Sequence, residues 1–460
     1  MLGKGPVRRW QMRGGRPDTG DGIGEMSGMK GDAGAQGVPR SILLIVENCS
    51  VPFDRRVWQE ACALRDVGYR VSVLSPRDPG QPRHEVLEGI EVYRHPALPE
   101  ASGVAGYVLE YGAALFWETL FAWRIFLRTR FDAVHVSNPP DTLFLVAAPF
   151  KLLFDRRVVF DHHDVCPELY EAKFGRQGLG FRLLRLLERW SIRSADVVIS
   201  TNDSYRRVAI DRGGKDPSSV FVVRNGPDLD RLRRVPPQPH LKAGRRYLVG
   251  YVGVIGIQEG LQYLVQGAAH LVHNLGRTDI QFAVIGSGSN QPAVVELAAR
   301  LKVGEFFTFT GRIPDDALLA YLNTADVCVN PDEWNRMNDM STMIKVMEYM
   351  ALGKPIVQFD MTEGRVSAGE SAFYARPNDA HDFALKIAGL LDDPERRERM
   401  GCLGRQRIED DLAWMHQAPK LIAAYETLWR SLPAPRTEAT EAPGGSMNAA
   451  AACRSPAGER

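Results

Sequence analysis

Residues 338–357 read NDMSTMIKVMEYMALGKPIV, and the predicted fold is organised around this stretch. It starts with small polar residues, continues with strong helix formers, and ends at Gly353 with Pro355 just beyond. Because glycine and proline commonly follow the last turn of a helix, the pattern predicts one capped helix leading into a buried strand at 355–359. At about 100° per residue, one stripe of this helix carries four polar side chains: Asn338, Ser341, Lys345 and Glu348.

This polar stripe has the chemistry of a binding site for a nucleoside diphosphate. Free N–H groups at a helix N-terminus attract phosphate oxygens, and Lys345 adds a full positive charge one turn into the helix. Glu348 on the same face can accept hydrogen bonds from ribose hydroxyls. The competing interpretation is a solvated face with a Lys345–Glu348 ion pair, worth a few tenths of a kcal/mol. The alternating strands and helices before the stretch favour the binding site.

That alternation begins with the apolar strand SILLIVE at 41–47 and an amphipathic helix at 57–67. Strands that alternate with helices predict parallel sheets covered by helices on both faces. A polar, proline-rich segment at 235–246 interrupts the pattern, which restarts with a strand at 247–252. The sequence therefore predicts an α/β fold of two tandem Rossmann-like domains, with a ligand cleft between the carboxyl ends of their sheets.

The changes in composition also place the domain boundaries. From the pattern alone, the last helix packs either on its own domain or back onto the first. The predicted segments are a disordered tail at 1–39, a first domain at 40–228, a linker at 229–246, a second domain at 247–410, a C-terminal helix at 411–432 and a disordered tail at 433–460.

Composition excludes several classes of protein. The formal net charge of the 460 residues is +1, so there is no global electrostatic bias toward nucleic acid. The six cysteines contain no CxxC pair, which favours reduced thiols in the cytoplasm. Because we find neither a run of about 18 apolar residues nor the apolar core of a secretory signal, we expect a cytoplasmic protein without a spanning helix.

Polar clusters follow the strands of both predicted domains. Short glycine loops in the second domain let a backbone approach a phosphate closely, although neither GxG is the full dinucleotide fingerprint. These glycines are Gly253, Gly256, Gly286 and Gly288. The first-domain candidates, which we place on the acceptor side of the cleft, are Asn48, Asp54, Arg55, Asn138, Asp141 and Glu168.

His163 directly follows an apolar strand that points to the cleft, and three roles are open to it. It could bind a metal with Asp164, but the other histidines show no complementary spacing, so no metal site is predicted. It could cap the strand end, or it could contact substrate and handle a proton, which is the favoured role. Glu168 could orient His163, bind sugar hydroxyls, or satisfy the dipole of its own helix.

Four motifs carry a resemblance to a known family. They are HDVCPELYEAKF at 163–174, VVISTNDSYRR at 197–207, VVRNGPD at 222–228 and STMIKVMEYMALGKPIV at 341–357. Over residues 41–431 the chain resembles the family 4 retaining glycosyltransferases of GT-B architecture, particularly the bacterial exopolysaccharide and O-antigen enzymes.

The resemblance implies transfer of a hexosyl or N-acetylhexosaminyl group from a nucleoside-diphosphate sugar to a hydroxyl of a lipid-linked saccharide in surface-polysaccharide assembly. It implies retention of configuration and no obligatory metal or other cofactor. The first domain then binds the acceptor, and the second binds the nucleotide sugar. The implied catalytic residues are His163, Lys345 and Glu348. The implied donor-binding residues are Gly253, Gly256, Gly286, Gly288, Asn338, Asp339, Ser341, Thr342, Lys345, Glu348 and Arg365.

The chain departs from the family pattern at three positions. The family has two glutamates eight positions apart, and here Met340 stands in the first place while Glu348 matches the second. Val254 and Glu259 stand near the places of an arginine and a lysine in the loop after the first strand of the second domain. Lys345 is then the best remaining cation for the diphosphate. The residues expected to compensate are Asn338 and Asp339 at the donor sugar, and Arg55, Arg56 and Arg365 at the phosphates.

Residues 104–130 are rich in aromatic and aliphatic side chains and end in arginines. They form either an ordinary helix buried against the first sheet or a helix that contacts the cytoplasmic face of the inner membrane near a lipid-linked acceptor. Charges at Glu110, Glu118 and Arg124 argue against a spanning helix.

Two rival functions fit the same architecture. A sugar-nucleotide epimerase would need an acid pair near the sugar and would work without an acceptor. A catalytically silent nucleotide-sugar-binding subunit is credible because of Met340, Val254 and Glu259.

Overall fold

The computed structural model describes residues 39–96 and 103–430, without the side chains of 103–108 and 110. Apart from residue 39, the tails predicted at 1–39 and 433–460 lie outside the described residues. In the described part, no helix is both long enough and apolar enough to cross a membrane.

The first sheet has eight strands in the order β3-β4-β2-β1-β5-β6-β7-β8, and every neighbouring pair is parallel except β3 with β4 at the edge. Its strands are β1 (Ser41–Val46), β2 (Arg70–Pro76), β3 (His84–Leu87), β4 (Ile90–His95), β5 (Ala133–Ser137), β6 (Arg157–His162), β7 (Val197–Ser200) and β8 (Val220–Val222).

The second sheet has six parallel strands in the order β11-β10-β9-β12-β13-β14. They are β9 (Tyr247–Val252), β10 (Ile280–Ile285), β11 (Phe307–Gly311), β12 (Val327–Asn330), β13 (Ile356–Phe359) and β14 (Ala372–Ala375).

Helices cover both sheets. Those that follow first-domain strands are α1 (Arg55–Asp66), α2 (Gly103–Thr129), α3 (Phe144–Phe154), α4 (Cys166–Phe174), α5 (Leu179–Ser194) and α6 (Asp203–Arg207). The others are α7 (Leu261–His273), α8 (Gln291–Arg300), α9 (Asp315–Thr324), α10 (Arg336–Met340), α11 (Ile344–Ala351), α12 (Thr362–Ala368), α13 (Ala380–Leu391), α14 (Pro394–Arg407) and α15 (Trp414–Arg430).

The strand order fixes where a ligand can bind. β1 lies between β2 and β5, and β9 lies between β10 and β12, so each sheet reverses its winding at its first strand. Every residue of β1 and of β10 is buried, as expected for strands covered on both faces. In such sheets the crevice outside the carboxyl ends at the reversal point is the ligand site.

The single helix predicted over residues 338–353 is wrong. α10 ends at Met340, Ser341 is extended with φ −97° and ψ 136°, and α11 starts only at Ile344. Asn202 of the first domain explains the break, because its Nδ2 donates to the Met340 carbonyl oxygen at 2.9 Å. A continuous helix would pair that oxygen with the N–H of Ile344.

The last helix, α15, returns to the first domain and packs against α1, β7 and β8. Leu421, Tyr425 and Trp429 are buried in the core formed by β1, β2 and α1. Trp429 Nε1 donates to the Tyr69 hydroxyl at 2.9 Å, and the Tyr425 hydroxyl lies 2.9 Å from His135 Nδ1. α15, which follows the second domain in the chain, therefore packs into the core of the first domain.

Candidate functional site

A cavity of about 570 Å³ lies between the carboxyl ends of the two sheets. The loop after β6 and the helix α6 line it on the first-domain side, and the loops after β9 and β12 and the start of α11 line it on the other. We call this space the cleft cavity. Its polar side chains belong to His163, Asp164, Lys173, Thr201, Tyr205, Asn225, Gln258, Glu259, Asp332, Asn338, Ser341, Thr342, Lys345 and Glu348.

The four residues of the predicted polar stripe all reach the cleft cavity, although they do not share one helix. Asn338 lies on α10, Ser341 in the break, and Lys345 and Glu348 on α11. The extended conformation at Ser341 keeps these side chains on the same side of the chain.

Lys345 is paired with a carboxylate inside the second-domain wall. Its Nζ lies 2.6 Å from Asp332 Oδ1. Burial raises the pKa of Asp332 even though Lys345 acts to lower it, and burial likewise raises the pKa of Glu259 beside them. Two carboxyl groups, those of Asp332 and Glu259, therefore lie beside the charge of Lys345.

Glu348 is paired with two arginines that come from outside its own domain. Its Oε1 accepts hydrogen bonds from Arg231, in the segment between the two sheets, and from Arg55 of α1 at 3.4 Å. Arg55 also contacts Asp315 at 3.2 Å. The Lys345–Glu348 ion pair of the competing interpretation is not formed, because each residue has a different partner.

His163 is held from behind by a buried charge network. Its Nε2 hydrogen-bonds to Asp161 and lies 2.8 Å from Arg56 Nε. Burial opposes ionisation of Asp161, but the charges of Arg56 and His163 hold its pKa well below the usual range. Arg56 also binds Asn225 Oδ1 and the Val223 carbonyl, both at 2.8 Å. Because Arg56 is buried and its guanidinium nitrogens are hydrogen-bonded within this network, a phosphate contact would require it to leave these partners.

Asn138 positions the loop that carries His163. Its Oδ1 accepts hydrogen bonds from the backbone N–H groups of His163 at 2.7 Å and Asp164 at 3.2 Å, and its Nδ2 donates to Asp141 at 2.8 Å. Burial raises the pKa of Asp141 to about 7. Both Asn138 and Asp141 are buried and do not line the cleft cavity, and the contacts that the structure gives them support the loop.

Glu168 is a buried residue of α4, and Arg212 binds both of its carboxylate oxygens at 2.6 and 3.1 Å. It does not orient His163 and lies outside the cleft cavity, so its acceptor role stays a prediction. Of the other first-domain candidates, Asp54 accepts from Val57 N–H as the N-cap of α1, while Asn48 is exposed on the loop after β1.

Two of the glycines predicted to approach the donor, Gly286 and Gly288, lie against backbone, and Gly256 lies against a side chain. A Cβ on Gly286 would lie 1.9 Å from the Gly253 carbonyl oxygen, and one on Gly288 would lie 2.3 Å from that of Ile255. A Cβ on Gly256 would meet the Glu259 carboxylate at 2.4 Å. Of these glycines only Gly253 lines the cleft cavity, so the loop after β10 supports the loop after β9.

Two other predicted donor residues lie outside the cleft cavity. Arg365 pairs with Asp360 next to β13, and Asp339 accepts hydrogen bonds from the N–H and hydroxyl of Thr362 at 2.8 and 2.9 Å. Thr342 does line the cavity, and its hydroxyl accepts from Asn202 at 3.1 Å.

Sequence reasoning missed Asp332, Arg231 and Tyr205. Asp332 follows β12, so its position at a strand end was the available signal, and Arg231 follows the RNGPD motif. Tyr205 lies within the VVISTNDSYRR motif, and its hydroxyl contacts Ser341 Oγ across the cleft at 2.9 Å.

Two ranges of the chain, one in each domain, match known family models. Residues 54–226 match the glycosyl transferase 4-like domain, and residues 246–393 match the glycosyl transferases group 1. The chain belongs to the GT-B glycosyltransferases. The two matched ranges of this glycosyltransferase meet at the cleft cavity, and Asp332, Lys345 and Glu348 lie in the second.

Curated relatives of the glycosyltransferase act on different molecules. A 2-deoxystreptamine glucosyltransferase from Streptomyces kanamyceticus is 25% identical over 79% of this chain and 96% of its own length. An alpha-D-kanosaminyltransferase from the same organism is 28% identical over 75% of this chain and 91% of its own. A glycogen synthase from Mycobacterium tuberculosis is 25% identical over 81% of this chain and 90% of its own length.

Solved structures share the fold of the glycosyltransferase. Sucrose-phosphate synthase from Thermosynechococcus elongatus has a TM-score of 0.71 at 19% identity, covering 85% of this chain and all of that one. Anabaena HepE in complex with UDP and glucose has a TM-score of 0.65 at 16% identity, and the match covers 84% of this chain and 100% of that one.

Proposed function

We propose that this glycosyltransferase moves a hexosyl or N-acetylhexosaminyl group from a nucleoside-diphosphate sugar to a saccharide hydroxyl, with retention of configuration. The observation that carries the proposal is the cleft cavity, where Lys345, the N-terminus of α11 and Glu348 lie together at the carboxyl end of the second sheet. The similar fold of HepE, solved with UDP and glucose, supports a nucleotide sugar as donor.

Lys345 and the first N–H groups of α11 would bind the diphosphate and stabilise the charge that develops on it as it leaves. Glu348 would accept hydrogen bonds from the ribose. His163, on the facing wall, would contact the donor sugar, with Asp161 fixing its ring. Acceptor attack from the first-domain side would follow, and closing the cleft would exclude water.

The pairings inside the cleft cavity imply a cost for donor binding. A diphosphate must take Lys345 from Asp332, and a ribose must share Glu348 with Arg55 and Arg231. Both arginines contact Glu348, so we expect them to lie near the diphosphate and to supply the positive charge that is absent at Val254 and Glu259.

Incubation of the full chain with sugar nucleotides and saccharide acceptors tests this proposal. The expected result is nucleoside-diphosphate release together with a longer saccharide whose new bond keeps the donor's anomeric configuration, as read by NMR. An isomeric sugar nucleotide formed without an acceptor would identify an epimerase instead. Donor binding with no consumption across many acceptors, lipid-linked ones included, would identify a silent subunit.

The outer surface of three first-domain helices bears on the acceptor, because it suits contact with a membrane. α2, α3 and α5 pack side by side over one face of the first sheet and share one apolar core. Their outer sides expose Phe116, Leu120, Leu127, Leu145, Leu152, Leu153, Leu183, Leu186 and Trp190. Arg182, Arg185 and Arg189 are exposed between the apolar residues of α5. Apolar side chains interleaved with arginines suit a surface of anionic lipid.

We therefore place the acceptor on a lipid at the cytoplasmic face of the inner membrane, in surface-polysaccharide assembly. The chain should float with vesicles that contain phosphatidylglycerol, and Trp190→Glu should reduce the floated fraction severalfold. Leu385→Glu is the matched control, because Leu385 is an exposed apolar residue of the second domain. No lipid association of the wild type would overturn the membrane assignment and leave the transfer reaction in place.

A further inference from the structure

Four buried polar atoms converge in the first domain, away from the residues that line the cleft cavity. They are Oε2 of Glu47, Nε2 of His95 and both carboxylate oxygens of Glu118, and none has a hydrogen-bond partner among the described residues. Glu47 follows β1, His95 ends β4, and Glu118 lies on α2. One ligand atom from each residue lies within 4.8 Å of the others.

The imidazole ring of His95 is oriented so that Nε2 faces the carboxylates. Its Nδ1 lies 3.0 Å from the Pro96 carbonyl oxygen, which can only accept, so Nδ1 carries the hydrogen. In the neutral ring Nε2 then presents a lone pair, and it lies 3.0 Å from Glu47 Oε2. A histidine that donates one N–H to a carbonyl while the other nitrogen faces carboxylates has the arrangement of a metal ligand.

A second cluster in the same domain contains an arginine that the cluster of Glu47, His95 and Glu118 does not have. Glu60, His135 and Asp161 likewise combine one histidine with two carboxylates, and all three are buried, but Arg56 lies 3.1 Å from Glu60 and 2.8 Å from Asp161. No arginine or lysine of the described residues pairs with Glu47 or Glu118. Buried carboxylates need a positive charge, and one cluster contains it while the other does not.

We propose that Glu47, His95 and Glu118 bind one divalent transition-metal ion. Imidazole and carboxylate ligands together suit Mn²⁺ and Zn²⁺. Metal–ligand bonds of about 2.0–2.2 Å put the ligand atoms roughly 3 to 3.5 Å apart, so binding draws the Glu118 carboxylate toward His95. Glu47 is 13% exposed, which leaves a path for the ion to enter.

The ion would join three separate elements at the edge of the sheet that faces the cleft. The loop after β1 leads from Glu47 to Arg55, which contacts Glu348 across the cleft. Binding of the ion therefore fixes the start of this loop and ties α2 to β4. This role is structural, and it does not depend on the proposed transfer reaction.

Titration of the full, metal-stripped chain with Mn²⁺, without nucleotide, tests the proposal. Free Mn²⁺ is followed by electron paramagnetic resonance, because Mn²⁺ favours oxygen and nitrogen ligands and avoids the free cysteines. We expect one bound ion per chain and a rise of several degrees in the melting temperature. His95→Gln and Glu118→Gln should each weaken Mn²⁺ binding at least tenfold.

His84→Gln is the matched control, because His84 is an exposed first-domain histidine that pairs with Glu91 outside the cluster. It should bind Mn²⁺ like the wild type. Circular dichroism identifies any variant that fails to fold, and the wild-type titration stands independently of the variants. A wild type without a bound ion, or variants that bind it equally well, would overturn the proposal in favour of a proton shared between the carboxylates.

Discussion

The two walls of the cleft cavity hold their polar groups in different ways. On the first-domain wall, His163 is fixed from behind by Asp161 and Arg56, which are buried and hydrogen-bonded to each other. On the second-domain wall, Lys345 pairs with Asp332, which also lines the cavity, and Glu348 pairs with Arg231 at its edge. A ligand leaves the first set of partners untouched and must displace the second. The first wall is thus preorganised, and the second exchanges partners on binding.

Lys345→Ala tests the second-domain wall and should have the largest effect. The lysine supplies the full positive charge nearest the start of α11, so its loss should lower kcat/KM by about 100- to 1000-fold. Nucleoside-diphosphate release measures this rate. Lys386→Ala is the control, because Lys386 pairs with Asp382 outside the cavity. Turnover of Lys345→Ala within a few fold of wild type would remove Lys345 from the site.

His163→Ala tests the first-domain wall. In the proposed reaction His163 contacts the donor sugar from a rigid support, so we expect kcat to fall about 100-fold while nucleotide affinity changes little. Steady-state kinetics and nucleotide titration separate the two effects. The control is His273→Ala, since His273 is an exposed histidine that contacts the Leu301 carbonyl in the second domain. Equal losses in kcat and in affinity would contradict the difference between the walls.

Asp332→Asn tests the exchange of partners on the second-domain wall, because it should improve the binding of nucleotide. Asp332 competes with phosphate for Lys345, so its neutral replacement should tighten nucleotide binding by up to about tenfold, or about 1.4 kcal/mol. Burial raises the pKa values of Asp332 and Glu259, so wild-type affinity should fall as rising pH ionises them, and the variant should depend less on pH. Asp360→Asn, outside the cavity, is the control. Weaker binding by Asp332→Asn would show that the pair supports the site.

Asp141→Asn should have the smallest effect on turnover, because Asp141 does not line the cleft cavity, and its main effect should be on stability. Burial raises the pKa of Asp141 from 3.8 to about 7, so the folded chain binds this proton more tightly than the unfolded chain. Its contribution to stability is complete below the ordinary pKa and is lost as pH rises toward 7, at about 1.4 kcal/mol per pH unit.

The free energy of unfolding in urea at pH 5 and pH 7 measures this effect. The variant should lose less stability between these values than the wild type, because asparagine does not ionise. Asp211→Asn, at an exposed position, should behave like the wild type. An identical pH dependence in the Asp141 variant would contradict the assigned pKa.

The fold could be predicted because buried parallel strands form apolar runs in the sequence. β9 lies at the predicted residues 247–252, and β1 ends one residue before the prediction. The break at Ser341 could not be predicted, because Asn202 causes it from a distant part of the chain. Arg365 lies outside the cavity for a local reason, since it pairs with Asp360 at the end of β13.

Calorimetric titration of UDP, GDP, dTDP and ADP into the wild type, Lys345→Ala and Glu348→Ala tests the central claim most directly. The account predicts that one of these nucleotides binds the wild type at a single site and that both substitutions weaken its binding at least tenfold. Binding of no nucleotide by folded wild type, or equal binding by all three chains, would contradict a donor site at the start of α11.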